Sequence, residues 1–77
     1  MNNARRKVLN SIIARLEDLQ TDLQGVLDEE QGAYDALPEG LQASERGEAM
    51  ETAIDNMAEA VDAFEDLASL IQEAIGE

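Results

Sequence analysis

The chain has 77 residues, of which 18 are Asp or Glu and 5 are Lys or Arg, so its formal net charge is −13. It contains no histidine, cysteine or tryptophan, so most side chains that carry out acid–base, nucleophilic or metal chemistry near neutral pH are absent. This composition argues against an enzyme, and its negative field disfavours direct nucleic-acid binding while it favours a basic protein partner.

The basic residues are concentrated near the N-terminus. Four of the five are Arg5, Arg6, Lys7 and Arg15. A basic start followed by apolar residues is typical of targeting segments, but Asn10 and Ser11 interrupt the apolar run. We therefore expect no cleaved segment, and no apolar run approaches the length of a membrane span. The chain has no cysteine, which fits a reducing compartment. A cytoplasmic location without membrane contact is therefore expected.

Apolar residues in the first half recur at alternating spacings of three and four. The positions are Leu9, Ile12, Leu16, Leu19, Leu23, Val26, Glu30, Ala33 and Leu37. This heptad pattern predicts one long amphipathic helix over residues 3–37. The polar residue among them, Glu30, is interpreted as setting the register near the rim, where it reaches solvent or Arg46; a functional role is the alternative.

Two glycines, Gly25 and Gly32, lie seven residues apart on the outer side of this predicted helix. Each costs roughly 1 kcal/mol relative to alanine in a helix interior. Two explanations stay open. The pair admits the close approach of another backbone, or it kinks or weakens the first helix.

A loop follows from Pro38 to Ser44. Pro38 disfavours helical conformation at the residue before it, and Gly40 supplies a permissive backbone. Ser44 is a suitable N-cap for a second helix, with Glu45 and Glu48 placed near the positive end of its dipole.

The second half repeats the heptad pattern and predicts a helix over residues 45–75. Its positions are Met50, Ile54, Met57, Val61, Phe64, Ala68, Ile71 and Ile75. Folding the chain at the loop aligns the two stripes layer by layer to the termini. The sequence therefore predicts an all-α fold with one domain over residues 1–77, an antiparallel helix-loop-helix hairpin.

The apolar stripe is wider than one partner helix covers. Ile13, Leu27 and Tyr34 widen it on the first helix, and Ala53, Ala60, Leu67 and Ala74 widen it on the second. Three apolar positions per heptad are typical of a bundle, so we expect two hairpins to form a homodimeric four-helix bundle. The expected dimer interface contains Ile13, Leu23, Leu27, Tyr34 and Leu67.

No cofactor or metal site is expected. Di-metal bundles use histidine together with carboxylates, and this chain has no histidine. The acidic segment that begins at Asp28 lacks the alternating oxygen ligands and terminal glutamate of a calcium loop. The serines have no base to activate them.

Acidic residues form a strip along the second helix, opposite its apolar stripe. Its members are Glu48, Asp55, Glu59, Asp62, Asp66 and Glu73. Like charges one turn apart destabilise a helix by a few tenths of a kcal/mol per pair. Either the strip is a solvated face that prevents aggregation, or it imitates a row of DNA phosphates.

The segment from Glu29 to Glu48, EEQGAYDALPEGLQASERGE, supports a family resemblance. It resembles a group of short, acidic, uncharacterised helical proteins of bacteriophages and mobile elements, which carry the core E-E-Q-x-A-[FY]-D-x-L-P-E-x-L-Q-x-S-E-R-G-E. Gly32 departs from the charged residue expected at its position. The resemblance implies a phage or mobile-element origin and a host cytoplasmic location, and it carries over no catalytic or binding residues.

Two classes of function follow. The first is a non-enzymatic helical interaction or structural module that supplies a bundle surface. The alternative is a DNA mimic that inhibits a host DNA-binding or defence protein through the acidic face of the second helix. The two differ in which face binds.

Overall fold

A computed structural model describes residues 1–76, in three helices. Helix α1 covers Asn3–Asp35, α2 covers Glu39–Gln42 and α3 covers Glu45–Ile75. The all-α prediction is confirmed, since both long helices are present close to the predicted bounds. Glu77, which was predicted to complete the domain, lies outside the described residues.

The connection between the long helices is more ordered than the predicted loop. After α1 ends, the Leu37 N–H donates to the Tyr34 carbonyl at 3.0 Å, which tightens the last turn. The carbonyl of Pro38 then accepts from the N–H groups of Leu41 and Gln42, at 2.8 and 3.1 Å. These bonds form α2, a single turn that apolar periodicity could not reveal because it is only four residues long.

Side chains cap the start of both long helices. The Asn2 side chain accepts a hydrogen bond from the Arg5 backbone N–H at 2.8 Å. At α3, the Ser44 hydroxyl accepts from the Gly47 N–H at 3.4 Å, and the Ser44 backbone is extended as an N-cap requires. The predicted cap at Ser44 is therefore confirmed.

Helices α1 and α3 run antiparallel and form a rod with extents of 58 by 15 by 12 Å. Hydrogen bonds cross between them along the whole length. They join Arg6 Nε to the Ile75 carbonyl at 3.3 Å, Gln20 Nε2 to the Val61 carbonyl at 3.1 Å, and Tyr34 to Glu51. These partners lie within one helical turn of the predicted register, so the hairpin arrangement is confirmed.

The face that α1 turns toward α3 differs from the predicted one. Leu19 and Val26 were predicted in the seam, yet they are 54% and 53% exposed, and Ala33 is also exposed. The prediction was wrong at these positions. Ile13, Gln20, Leu27 and Tyr34 take their places between α1 and α3 and are buried or half-buried.

The rotation has a physical reason. Leu9, Leu16, Leu23, Glu30 and Leu37 belong to both alternatives and are half-buried, so they do not decide between them. The observed face brings the larger Tyr34 inward in place of Ala33. It also lets the Gln20 amide donate across the seam to Val61 and, at 3.3 Å, to the Glu65 carboxylate.

The predicted seam of α3 is confirmed. All eight of its members are half-buried, and they are Met50, Ile54, Met57, Val61, Phe64, Ala68, Ile71 and Ile75. The hairpin nevertheless buries little by itself. Ile13, at 7% exposure, is the one buried apolar side chain among the described residues. Within those residues, no helix is both long enough and apolar enough to cross a membrane.

Candidate interaction surfaces

An apolar face runs along one side of the hairpin. We define it by Val8, Leu19 and Val26 of α1, which are 58%, 54% and 53% exposed, and by Leu67 and Leu70 of α3, which are 45% and 64% exposed. At the N-terminal end, Met1 and Ala4 extend it as a shallow apolar depression beside Val8.

The two groups of side chains lie on the same side of the molecule. On α1, Leu19 precedes the seam by about a quarter turn, and on α3 Leu67 precedes its seam by a similar angle, at 100° per residue. Antiparallel helices are related by a two-fold axis perpendicular to them, so equal rotations from the seam lead to the same face. The exposed side chains of α1 and α3 therefore lie on the same side of the hairpin.

The opposite side of the hairpin is polar. A shallow groove there is lined by Thr21, Gln24 and Asp28 of α1 and by Glu65 of α3. The Gln24 amide donates to the Asp28 carboxylate at 2.9 Å. This asymmetry leaves the apolar face as the side that water solvates least favourably.

Of the five residues expected at a dimer interface, four lie inside the hairpin and one lies on its surface. Ile13 is buried, and Leu23, Leu27 and Tyr34 are half-buried between α1 and α3, so these four already pack within the hairpin. Leu67 is the one that remains exposed. Sequence reasoning missed Val8 and Leu70 as surface residues, because both lie outside the three apolar positions per heptad. It placed Leu19 and Val26 in the seam, because three apolar positions per heptad do not say which of them faces outward.

The acidic strip is fully open to solvent. Glu48, Asp55, Glu59, Asp62, Asp66 and Glu73 are all exposed. None of the side-chain hydrogen bonds within residues 1–76 uses one of these six carboxylates. The strip is thus a row of accessible negative charge. No group of three or more carboxylates among the described residues is arranged to hold a metal ion.

The loop end contains a set of specific contacts. Gln42 Nε2 donates to the Tyr34 carbonyl at 3.1 Å, and the Tyr34 hydroxyl donates to the Glu51 carboxylate. That hydrogen bond raises the pKa of Tyr34 above its usual value of 10.0. Gly47 is buried against α2, and a Cβ there would lie 2.1 Å from the Gln42 carbonyl oxygen. These contacts give physical roles to Gln42 and Gly47, which the sequence analysis did not single out.

The three unusual residues of α1 have different surroundings. Glu30 is half-buried at a seam position. Gly25 and Gly32 are exposed, and a Cβ at either would meet nothing within 4 Å. Neither glycine is therefore required by close packing inside the hairpin.

Comparisons of this chain with family models, with curated proteins and with solved structures found no match. The apolar face and the acidic strip are therefore the surfaces from which a function is proposed.

Proposed function

We propose that this protein is a non-enzymatic helical interaction module that associates with its own copy through the apolar face. One observation carries this proposal: five large apolar side chains of the two long helices are at least 45% exposed on one side of the hairpin, whereas Ile13 is the one buried apolar side chain among residues 1–76. A contiguous apolar surface with a polar opposite face is typical of an association site.

The proposed assembly is a four-helix bundle of two hairpins. In such a bundle each helix contributes three apolar positions per heptad to a shared core. Both long helices of this chain have three such positions per heptad. Chains of this size bury a smaller fraction of their surface than larger domains do, so association adds to the core. Helical content and dimerisation should then be coupled.

Sedimentation equilibrium at micromolar concentration tests this function. We expect a mass of about twice the chain mass of 8.4 kDa. Leu19→Glu places a charge in the apolar face and should produce a monomer, whereas Gln24→Glu on the polar face is the matched control and should leave the dimer intact. A wild-type chain that stays monomeric and fully helical would contradict the proposal.

A second function is supported by the accessibility of the acidic strip. In this proposal the strip occupies the basic groove of a DNA-binding protein and imitates DNA phosphates, whose recognition depends on charge and on salt. A protein captured from the natural host should then be released by duplex DNA and by added salt. It should also fail to bind when Asp55, Glu59, Asp62 and Asp66 are replaced by Asn or Gln. Equal binding of the neutralised variant, without DNA competition, would leave the strip as a solubilising surface.

A further inference from the structure

The charges of α1 are segregated along its length. All its basic residues lie between residues 5 and 15, and all its acidic residues lie between residues 17 and 35. A parallel contact between two copies of α1 would set like charges beside each other. An antiparallel contact would set the basic half of each copy beside the acidic half of the other.

The spacing of the apolar side chains on α1 agrees with the antiparallel choice. Ile12 and Val26 lie seven residues before and after Leu19. Ile12 is half-buried, and the other two are more than half exposed. A two-fold axis through Leu19 therefore pairs Leu19 with its own copy, and it pairs Ile12 with Val26 at both ends.

We infer that the second copy packs its α1 antiparallel to the first, with the two-fold axis at Leu19. The inference rests on the proposed self-association and specifies its geometry. Arg15 and Asp22 lie on the same side of α1, four residues before Leu19 and three residues after it. The two-fold axis brings this side of one helix next to the same side of the other, so Arg15 lies beside Asp22 of the second copy. Arg5, seven residues before Ile12, continues the row of Ile12, Leu19 and Val26 and lies near Glu30 of the second copy.

This arrangement gives a partner to Glu30, whose carboxylate accepts no side-chain hydrogen bond from any of residues 1–76. Glu30 is half-buried at a seam position, next to the row of Ile12, Leu19 and Val26 on α1. A carboxylate at such a position is better accommodated when a guanidinium of another chain reaches it. The antiparallel geometry places the Arg5 side chain within about one helical turn of it along the axis.

The same two-fold axis also relates the two copies of α3. Gln20 contacts Val61 and Glu65, so an axis at the level of Leu19 crosses α3 in the turn between Val61 and Glu65. It then sets Leu67 of one copy near Ala60 of the other. The small Ala60 side chain, itself half-buried, leaves room for the exposed leucine.

Cysteine cross-linking tests the geometry cleanly because the chain has no cysteine of its own. Under mild oxidation of the full chain, Leu19→Cys should form a covalent dimer. Ile12→Cys and Val26→Cys should each cross-link poorly alone and efficiently when mixed. Gln24→Cys, on the polar face, is the matched control and should stay monomeric on denaturing gels.

The outcomes separate the geometry from the association itself. Efficient cross-linking of Ile12→Cys and of Val26→Cys each with itself would show a parallel contact and overturn the inference. A dimer by sedimentation in which neither Leu19→Cys nor the Ile12→Cys and Val26→Cys mixture cross-links would also overturn it, while self-association would stand. A monomer at all concentrations would overturn both.

A charge exchange adds a second test. Arg15→Glu and Asp22→Arg should each weaken dimerisation, on the order of tenfold from two symmetry-related pairs, as measured by the dissociation constant at low salt. The double variant should return close to the wild-type constant, because it restores opposite charges across the interface. Additive weakening in the double variant would contradict the pairing.

Discussion

The hydroxyl of Tyr34, near the end of α1, donates a hydrogen bond to the carboxylate of Glu51 in the first turns of α3. The bond ties the two long helices together next to the connection between them. The bond requires a protonated phenol, and the Glu51 carboxylate would repel the phenolate that forms when Tyr34 loses its proton. Both effects favour the neutral tyrosine and raise its pKa.

The first prediction follows from this pKa. The folded-state pKa of Tyr34 lies above that of the unfolded chain, so its contribution to stability is present below about pH 10 and is lost as the pH rises through the folded-state pKa. Tyr34 is the single tyrosine, and no tryptophan is present, so ultraviolet absorbance reports its ionisation directly.

The matched variant for this measurement is Glu51→Gln. It removes the negative charge and retains an acceptor oxygen, so the pKa of Tyr34 should fall toward its usual value. Glu48→Gln, one turn earlier on α3 and without a hydrogen bond to the phenol, should shift the titration less. Identical titrations for wild type and Glu51→Gln would show that the contact does not form in solution.

The second prediction compares glycines. Gly47→Ala should lower the free energy of unfolding by about 1–3 kcal/mol, because the new Cβ would lie 2.1 Å from a backbone oxygen that cannot move freely. Gly25→Ala is the control and should stabilise the chain by about 1 kcal/mol, since open space surrounds that position and alanine favours the helix. Urea unfolding followed by circular dichroism measures both.

The glycine pair also decides an open question about α1. If Gly25 or Gly32 admitted the backbone of another chain, alanine at that position would weaken association. The antiparallel geometry places both glycines away from the contact. Gly25→Ala and Gly32→Ala should therefore raise stability without changing the dissociation constant of the dimer.

Periodicity predicted the hairpin but not the rotation of α1, and Leu19 and Gln20 show why. Apolar heptads fix the helix and its register, since those depend on repeated burial along the whole chain. The choice between neighbouring faces depends on individual contacts, such as the Gln20 amide that bonds across to Val61. A hydropathy pattern assigns glutamine to the surface, so it favoured the face centred on Leu19.

The loop end was predicted in part for a related reason. Ser44 has a strong local signature, because a capping hydroxyl serves backbone groups only a few residues away. Gly47 has none of this kind. Its requirement comes from α2 folding over the start of α3, a tertiary contact between segments whose separate patterns do not reveal it.

The third prediction tests the cap. Ser44→Ala should lower the free energy of unfolding by about 1 kcal/mol, because the Gly47 N–H loses its acceptor. Ser11→Ala, at an exposed position inside α1, is the matched control and should be neutral or slightly stabilising since alanine is the better helix former. Equal destabilisation by the two changes would contradict the assigned role of Ser44.

The last prediction concerns the acidic strip and separates its energetic cost from its function. Asp55, Glu59, Asp62 and Asp66 follow one another at spacings of four, three and four, so each neighbouring pair repels across one helical turn. Replacing all four by Asn or Gln should stabilise the protein by about 1 kcal/mol at low salt, from three pairs of a few tenths each. Added salt should stabilise the wild type more than this variant, because salt screens the repulsion among the four carboxylates and the variant no longer has that repulsion.

Lys7→Gln, which makes the net charge more negative, is the control and should change stability in the opposite direction. Thermal melts across a salt series measure these differences, and a neutralised variant that melts lower than wild type at low salt would contradict the repulsion. A stabilised variant that keeps its dimer can then be used against the captured host protein, since loss of that binding could not be attributed to unfolding.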